Sequence, residues 1–230
     1  PSMVESPDQT GLAPGDTRFI MSLRAIGEGH ISSIEFRTGV LSADGGLTLD
    51  ETPPFAVTGR KAPHEHDMAF FVTKLRDLGA LNEIEEAVLA QLDDSFSITE
   101  LEAAIARLDQ ARYPQLISRE TAHVLHWLAS SNYRTSFRAD SSIAERVLFP
   151  SGPTESRGME DARFVRFTAD DGEVTYYATY TAYDGHQILP QLLETADFET
   201  FEVSTMTGRA AHNKGMALFP RQVDGRYVAL

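Results

Sequence analysis

The chain of 230 residues contains no cysteine. Disulfides, zinc–thiolate centres and thiol nucleophiles are excluded, although reducing and oxidising compartments fit the absence equally. Long apolar runs are also missing. No stretch approaches the roughly 20 consecutive apolar residues that a membrane helix needs, so no membrane partner is expected. Cations are few: 20 Lys and Arg stand against 34 Asp and Glu, a formal net charge of −14. That balance argues against a nucleic-acid or anionic-lipid surface. His64, His66, His123 and His126 do not recur with carboxylates at the spacing of a metal site, so no metal is assigned. The first residues, Pro1-Ser2-Met3-Val4-Glu5, have neither the basic segment nor the apolar run of a targeting signal. With 42% hydrophobic and 23% charged residues, what is present has the composition of a soluble globular protein.

Three regions follow from the periodicity. In the first, Arg18 to Ala25 alternates Phe19, Met21, Leu23 and Ala25 on one face with Arg18, Ile20, Ser22 and Arg24 on the other, the period of a strand. Gly27-Glu28-Gly29 turns the chain into a second strand, His30 to Leu41, and Asp44-Gly45-Gly46 into a third, Leu47 to Leu49. A breaker-rich connection at 51–66 then gives way to a helical pattern from about Asp67 to Ser130. Leu81, Ile84, Val88, Leu89 and Leu92 form one apolar stripe, and Ile98, Leu101, Ile105 and Leu108 another. Ser97 with Glu100 has the form of a capping box. Pro114 is expected to end that helix and Ser118 to cap the next. Glu83, Glu85, Glu86, Asp93 and Asp94 read as a solvated face.

From Ser131 the chain returns to strands, expected at Arg163 to Phe167, Glu173 to Tyr183, Phe198 to Ser204, Met216 to Phe219 and Tyr227 to Leu230. The turns Asp171-Gly172 and Asp224-Gly225 lie 53 positions apart, close to the roughly 40–50 residues of one propeller blade. Short strands at this spacing, without βαβ alternation, favour a propeller or sandwich over a doubly wound sheet. Gly225 to Leu230 reads as a strand that stops in mid-run, so the chain is expected to be a fragment truncated at its C-terminus.

Three segments can carry chemistry. In Gly158-Met159-Glu160-Asp161-Ala162-Arg163, extended backbone places Asp161 and Arg163 on one face and Glu160 on the other. A carboxyl held near anions can serve as a general acid, and an arginine fork suits phosphate. Taken alone, the pair reads as a structural ion pair at a strand entrance. Ala211-His212-Asn213-Lys214-Gly215 gathers groups able to bind an oxyanion or a sugar hydroxyl, although by itself it reads as a polar loop. Arg24, beside Gly27-Glu28-Gly29, faces the less apolar side of its strand. No helix follows those glycines, so a hairpin turn is favoured over a phosphate loop.

Read together, the segments resemble glycoside hydrolase family 130, the β-mannoside phosphorylases and their hydrolytic relatives. Gly158 to Arg163 is similar to that family's Gly-x-Glu-Asp-Pro-Arg motif, with Ala162 in place of proline. Tyr177 to Tyr183 resembles the strand that follows it. Asn213-Lys214-Gly215-Met216-Ala217-Leu218-Phe219-Pro220, with Asp224 to Tyr227, resembles its later lysine and Leu-Phe-Pro motif. The resemblance implies a mainly β fold, part of a five-bladed β-propeller: blade strands over 1–52, a connection and helical insertion over 53–130 (helical from about 67), and further blades over 131–230.

It also implies roles. Asp161 is the expected general acid, with Arg163, Lys214, His212 and Arg24 binding phosphate, and Glu160, Asn213 and Tyr180 contacting the sugar. No cofactor is implied beyond inorganic phosphate as co-substrate. The expected reaction is inverting phosphorolysis of a β-mannoside oligosaccharide to α-mannose 1-phosphate in the cytoplasm. The alternatives are hydrolysis of the same substrates, or a non-catalytic carbohydrate-binding or assembly propeller. The amphipathic stripes of the helical segment fit a homo-oligomer interface, a lid, or packing on the same chain.

Overall fold

The computed structural model describes residues 1–108, 115–211 and 214–230, with the side chains of 115–118 left aside. The chain opens with β1 (Ser2–Glu5), β2 (Thr17–Ile26), β3 (Ser32–Leu41) and β4 (Leu47–Leu49), followed by the short β5 (Val57–Thr58) and β6 (Arg60–Ala62). The middle holds β7 (His66–Asp67), α1 (Met68–Asp77), α2 (Glu83–Leu89), β8 (Ser95–Phe96), α3 (Ile98–Ala106) and α4 (Gln115–Ser131). The last part contains β9 (Tyr133–Ser136), β10 (Arg146–Leu148), β11 (Gly158–Thr168), β12 (Val174–Tyr183), β13 (Ile188–Thr195) and β14 (Thr200–Thr205). The fold is mainly β.

The principal sheet runs β1-β2-β3-β11-β12-β13-β14-β9-β6, with β4 and β10 pairing with β3, and β5 with β10. Strands β11 to β14 form a four-stranded antiparallel meander. The sheet is open at both edges, and among the described residues it does not close into a ring of blades. Its two halves meet at one parallel bridge, Gly158 with Ser32. Gly158 sits at φ +143, and a Cβ there would lie 3.0 Å from the Ser32 backbone nitrogen. Only glycine permits that approach without displacing the backbone.

Side chains join the halves more firmly than the bridge does. Phe36 of β3 is wholly buried, with its ring 5.7 Å from Phe164, 5.6 Å from Phe198 and 6.0 Å from Phe201. Ile20, Ile34, Tyr176, Ala178 and Leu193 pack in the same cluster. Strand β2 contributes to burial from both faces: Phe19 on one, Ile20 and Ser22 on the other, while Met21, Leu23 and Ala25 are half-buried. Strand β12 is covered on both faces over most of its length, as its two-sided apolar pattern implies.

The helical segment leaves the sheet at β6 and returns to it at β9, which pairs directly beside β6. Among the described residues it forms four helices around a second core of Phe71, Leu75, Val88, Leu101, Leu125 and Leu128, with a small β7–β8 sheet within it. The Ser97–Glu100 capping box is present at α3. Helix α3 ends at Ala106, and Pro114 lies outside the described residues. Helix α4 already begins at Gln115, so Ser118 lies inside it and is no cap. Glu83, Glu86, Asp93 and Asp94 are exposed, but Glu85 is buried, with Oε2 unpartnered among the described residues. Its position in the first turn of α2, where the helix dipole favours negative charge, offsets part of the desolvation.

Elsewhere the strand pattern is denser than expected. Met216 to Phe219 and Tyr227 to Leu230 touch through a single bridge, Leu218 with Ala229, rather than as strands. The Asp224-Gly225 turn between them has both residues at positive φ, as a two-residue hairpin turn requires. Strands β1, β5 to β10 and β13 were not expected. Pro190 hides β13, because proline lacks a ladder donor. Here it ends the pairing with β14: Met206 N donates to Pro190 O at 3.1 Å, and the reciprocal bond cannot form.

Phe36→Ala is expected to destabilise the protein by about 3–5 kcal/mol in urea unfolding, since it removes a buried ring shared by both half-sheets. Phe55, 77% exposed, provides the control, and its replacement by alanine should change stability by no more than about 0.5 kcal/mol.

Candidate functional site

The start of β11 sets the site. The β11–β12 register pairs Glu160 with Thr181 and Arg163 with Thr179, so Asp161 and Ala162 together oppose Tyr180. This is a β-bulge, and Asp161 occupies φ +55, a left-handed conformation that aspartate tolerates better than most residues. Ala162 turns into the core and Asp161 outward. The bulge overturns the expectation that Glu160 faces away from Asp161, because the backbone there is not extended.

Both carboxylates instead meet Arg24 of β2. Its NH2 donates to Glu160 Oε1 at 2.6 Å, and its NH1 lies 3.9 Å from Asp161 Oδ1. Its Nε donates to Ser32 Oγ at 3.0 Å. Glu160 is thus held by Arg24 and not by Arg163. The Asp161 side chain is 60% exposed, an accessible carboxylate beside a guanidinium. Arg163 is also exposed and donates from NH1 to the Gly215 carbonyl at 2.7 Å. Lys214, exposed, directly precedes Gly215 in the chain. Asp161, Thr179, Gly215 and Met216 border a depression with no enclosed room for a water. His212 and Asn213 lie outside the described residues.

Tyr180 borders the same depression, but its hydroxyl turns inward. It is 3% exposed, and its hydroxyl donates to Glu155 Oε2, away from any solvent-facing sugar position. Glu155, unremarked in the sequence, is fully buried. Its Oε1 accepts from Tyr133 OH at 2.5 Å, Ser151 N at 2.8 Å and Gly152 N at 3.1 Å. Burial and the Glu155 carboxylate push both phenols well above their ordinary range. The only sequence signal for this network is a glutamate three residues after Gly152, which mimics a cap.

A larger cavity is lined by other residues. A cleft of about 440 Å³ opens between the α1 region and one face of the β13–β14 pair, lined in part by His64, His66, Phe70, Lys74, Glu194 and Glu202. His66 is buried against Phe71 and Phe96, with ring centroids at 5.7 and 5.4 Å. Burial, followed by the neighbouring His64 and Lys74, lowers its pKa to about 4. Burial alone lowers Lys74 to about 8.

No family model matches the chain. A β-1,2-mannobiose phosphorylase from Listeria innocua is 29% identical over 160 residues, covering 65% of this chain and 43% of that protein. The solved complex of β-1,2-mannobiose phosphorylase from Listeria innocua with β-1,2-mannobiose aligns over 98% of this chain and 54% of its own. The identity there is 18% and the TM-score 0.33. The chain spans about half the length of the proteins it matches. The sequence similarity is distant and partial, and it supports a relationship to the mannoside phosphorylases.

The depressed value of His66 fixes a pH dependence. The unfolded chain takes up a proton near pH 6.5 that the folded chain refuses until about pH 4. Stability from this group is therefore complete above that window and lost as pH falls through it. Urea unfolding should show a loss of about 2 kcal/mol between pH 7 and pH 5 from this group. His66→Phe should reduce the loss by that amount, and an unchanged pH slope would contradict the assignment.

Proposed function

We propose that the chain is part of an inverting β-mannoside phosphorylase of the family 130 type, with β-1,2-mannobiose as the first substrate to test. The observation that carries this reading is the meeting of Arg24, Glu160 and Asp161 at one exposed bulge, with Arg163 tied to the Lys214–Gly215 loop. The similarity to a mannobiose phosphorylase supports the substrate class. In this reading the β11–β14 meander is one blade of a five-bladed propeller.

Asp161 acts as the general acid and passes its proton, through a hydroxyl of the mannosyl residue, to the leaving glycosidic oxygen. Phosphate attacks the anomeric carbon from the opposite face. The new C–O bond to phosphate forms as the glycosidic C–O bond breaks, and α-mannose 1-phosphate results. Phosphate is already a nucleophile, so one carboxylic acid and a cationic cradle suffice where an inverting hydrolase needs two carboxylates. Arg163, Lys214 and His212 form that cradle. Among the described residues Arg163 has only NH1 engaged, by Gly215, and a guanidinium carries further donors that suit an anion. Arg24 is reassigned: two of its nitrogens hold Ser32 and Glu160, so it orients the carboxylates instead of binding phosphate. Glu160, fixed by Arg24, and Asn213 remain candidates for sugar hydroxyls, whereas Tyr180 acts through the buried Glu155 network.

The test is to incubate the full-length protein with β-1,2- and β-1,4-mannobiose, with and without phosphate, and to quantify mannose and mannose 1-phosphate. Product formed equally well without phosphate would overturn phosphorolysis in favour of hydrolysis. Absence of turnover with either disaccharide would favour a binding protein. Asp161→Asn should lower turnover by about 10²–10⁴-fold while leaving the unfolding midpoint within experimental scatter. Lys214→Ala should raise the phosphate concentration needed for half-maximal rate at least severalfold, with a much smaller effect on the KM for mannobiose.

A further inference from the structure

The cleft between α1 and the face of the β13–β14 pair shares no lining residue with the depression at Asp161. Its walls come from different parts of the chain. Phe70 and Lys74 come from α1, His64 from the segment before it, and Glu194 and Glu202 from β13 and β14. Phe70 leaves 72% of its surface exposed at this cleft, the presentation of a ring available for stacking. Lys74 Nζ donates to Asn132 Oδ1 at 2.5 Å. Among the described residues it has no carboxylate within ion-pair distance. An ammonium carries three donors, so two remain for a ligand. Across the cleft, Glu202 is bound by Arg134. Burial and the nearby Glu202 and Glu173 raise the pKa of Glu194.

These groups select against simple ions. An anion attracted by Lys74 meets Glu65, Asp67, Glu194 and Glu202 in the same lining. A cation attracted by the carboxylates meets Lys74. A neutral ligand whose hydroxyls both donate and accept satisfies both sets, and its apolar ring face suits Phe70 and the neighbouring Leu192 and Met206. A volume of about 440 Å³ lies within the range of small-molecule sites. We propose that this cleft is a saccharide-binding site, separate from the Asp161 centre and formed jointly by the helical segment and the sheet. The inference does not rest on the phosphorolytic reading of Asp161.

Calorimetric titration of the full chain with β-1,2-mannobiose and with cellobiose tests it. At least one of the two should bind, and Phe70→Ala should weaken that binding tenfold or more, as should Lys74→Met. Asp161→Asn should leave this Phe70-dependent binding in place. Phe70 is exposed, so its variant keeps the fold even if Lys74→Met does not. As a second readout, the bound saccharide should slow acetylation of Lys74, followed by mass spectrometry, at least threefold. Failure of both saccharides to bind, affinity unchanged by Phe70→Ala, or capture of free phenylalanine in their place would each overturn the proposal. If mannobiose binds in a Phe70-dependent way but is never turned over, the phosphorylase reading falls and the cleft stands.

Discussion

The contact between Phe36 and the rings of Phe164, Phe198 and Phe201 is what the rest of the sheet depends on. Strands β3 and β11 share one bridge, Gly158 with Ser32, too little backbone pairing to hold two half-sheets together. Each aromatic pair adds about 0.5–1.5 kcal/mol beyond the area it buries, and three such pairs meet on Phe36. Phe198 is held in this cluster at φ +58, an outlier for a bulky residue that costs on the order of 1–3 kcal/mol. Complete burial of its ring contributes a comparable gain, about 1.5–3 kcal/mol. The strained turn therefore persists because the core holds it.

That packing has a chemical consequence. Once the half-sheets are locked together, the end of β2 lies against the start of β11, and Arg24 reaches carboxylates 136 residues further along the chain. The bulge completes the arrangement by turning Asp161 outward while Ala162 enters the core. Beneath the bulge, Tyr180 is fixed by Glu155, which also binds Tyr133 and two backbone amides. A buried carboxylate with four donors tolerates little movement, since any lost partner leaves a desolvated charge. The accessible carboxylate of Asp161 thus stands on a rigid base.

The helical segment follows a different logic. It leaves and re-enters the sheet at neighbouring strands, β6 and β9, and carries its own core. Its size is therefore decoupled from the pairing of the sheet. Where it faces β13 and β14 it creates a cleft of about 440 Å³, and burial there lowers the pKa of His66 and of Lys74 together.

The sequence by itself determined the local features whose cause lies within a few residues. These are the β2–β4 meander, the apolar stripes of α2 and α3, the Ser97–Glu100 box, the Asp224-Gly225 turn and the two-sided burial of β12. It also marked Asp161, Arg163 and Lys214 as the residues to watch, because their motifs are contiguous. Only the tertiary structure decided that Phe19 and Ile20, on opposite faces of β2, are both buried, that Glu160 turns to Arg24, that Tyr180 is committed to Glu155, and that Glu85 is buried. Strand β13 stayed hidden behind Pro190 because the penalty for proline depends on whether a partner strand needs its missing donor. Periodicity and capping are set by bonds between near neighbours in the chain. Facing, bulges and buried charge pairs are set by contacts between residues far apart in it, which form only when the half-sheets and helices pack.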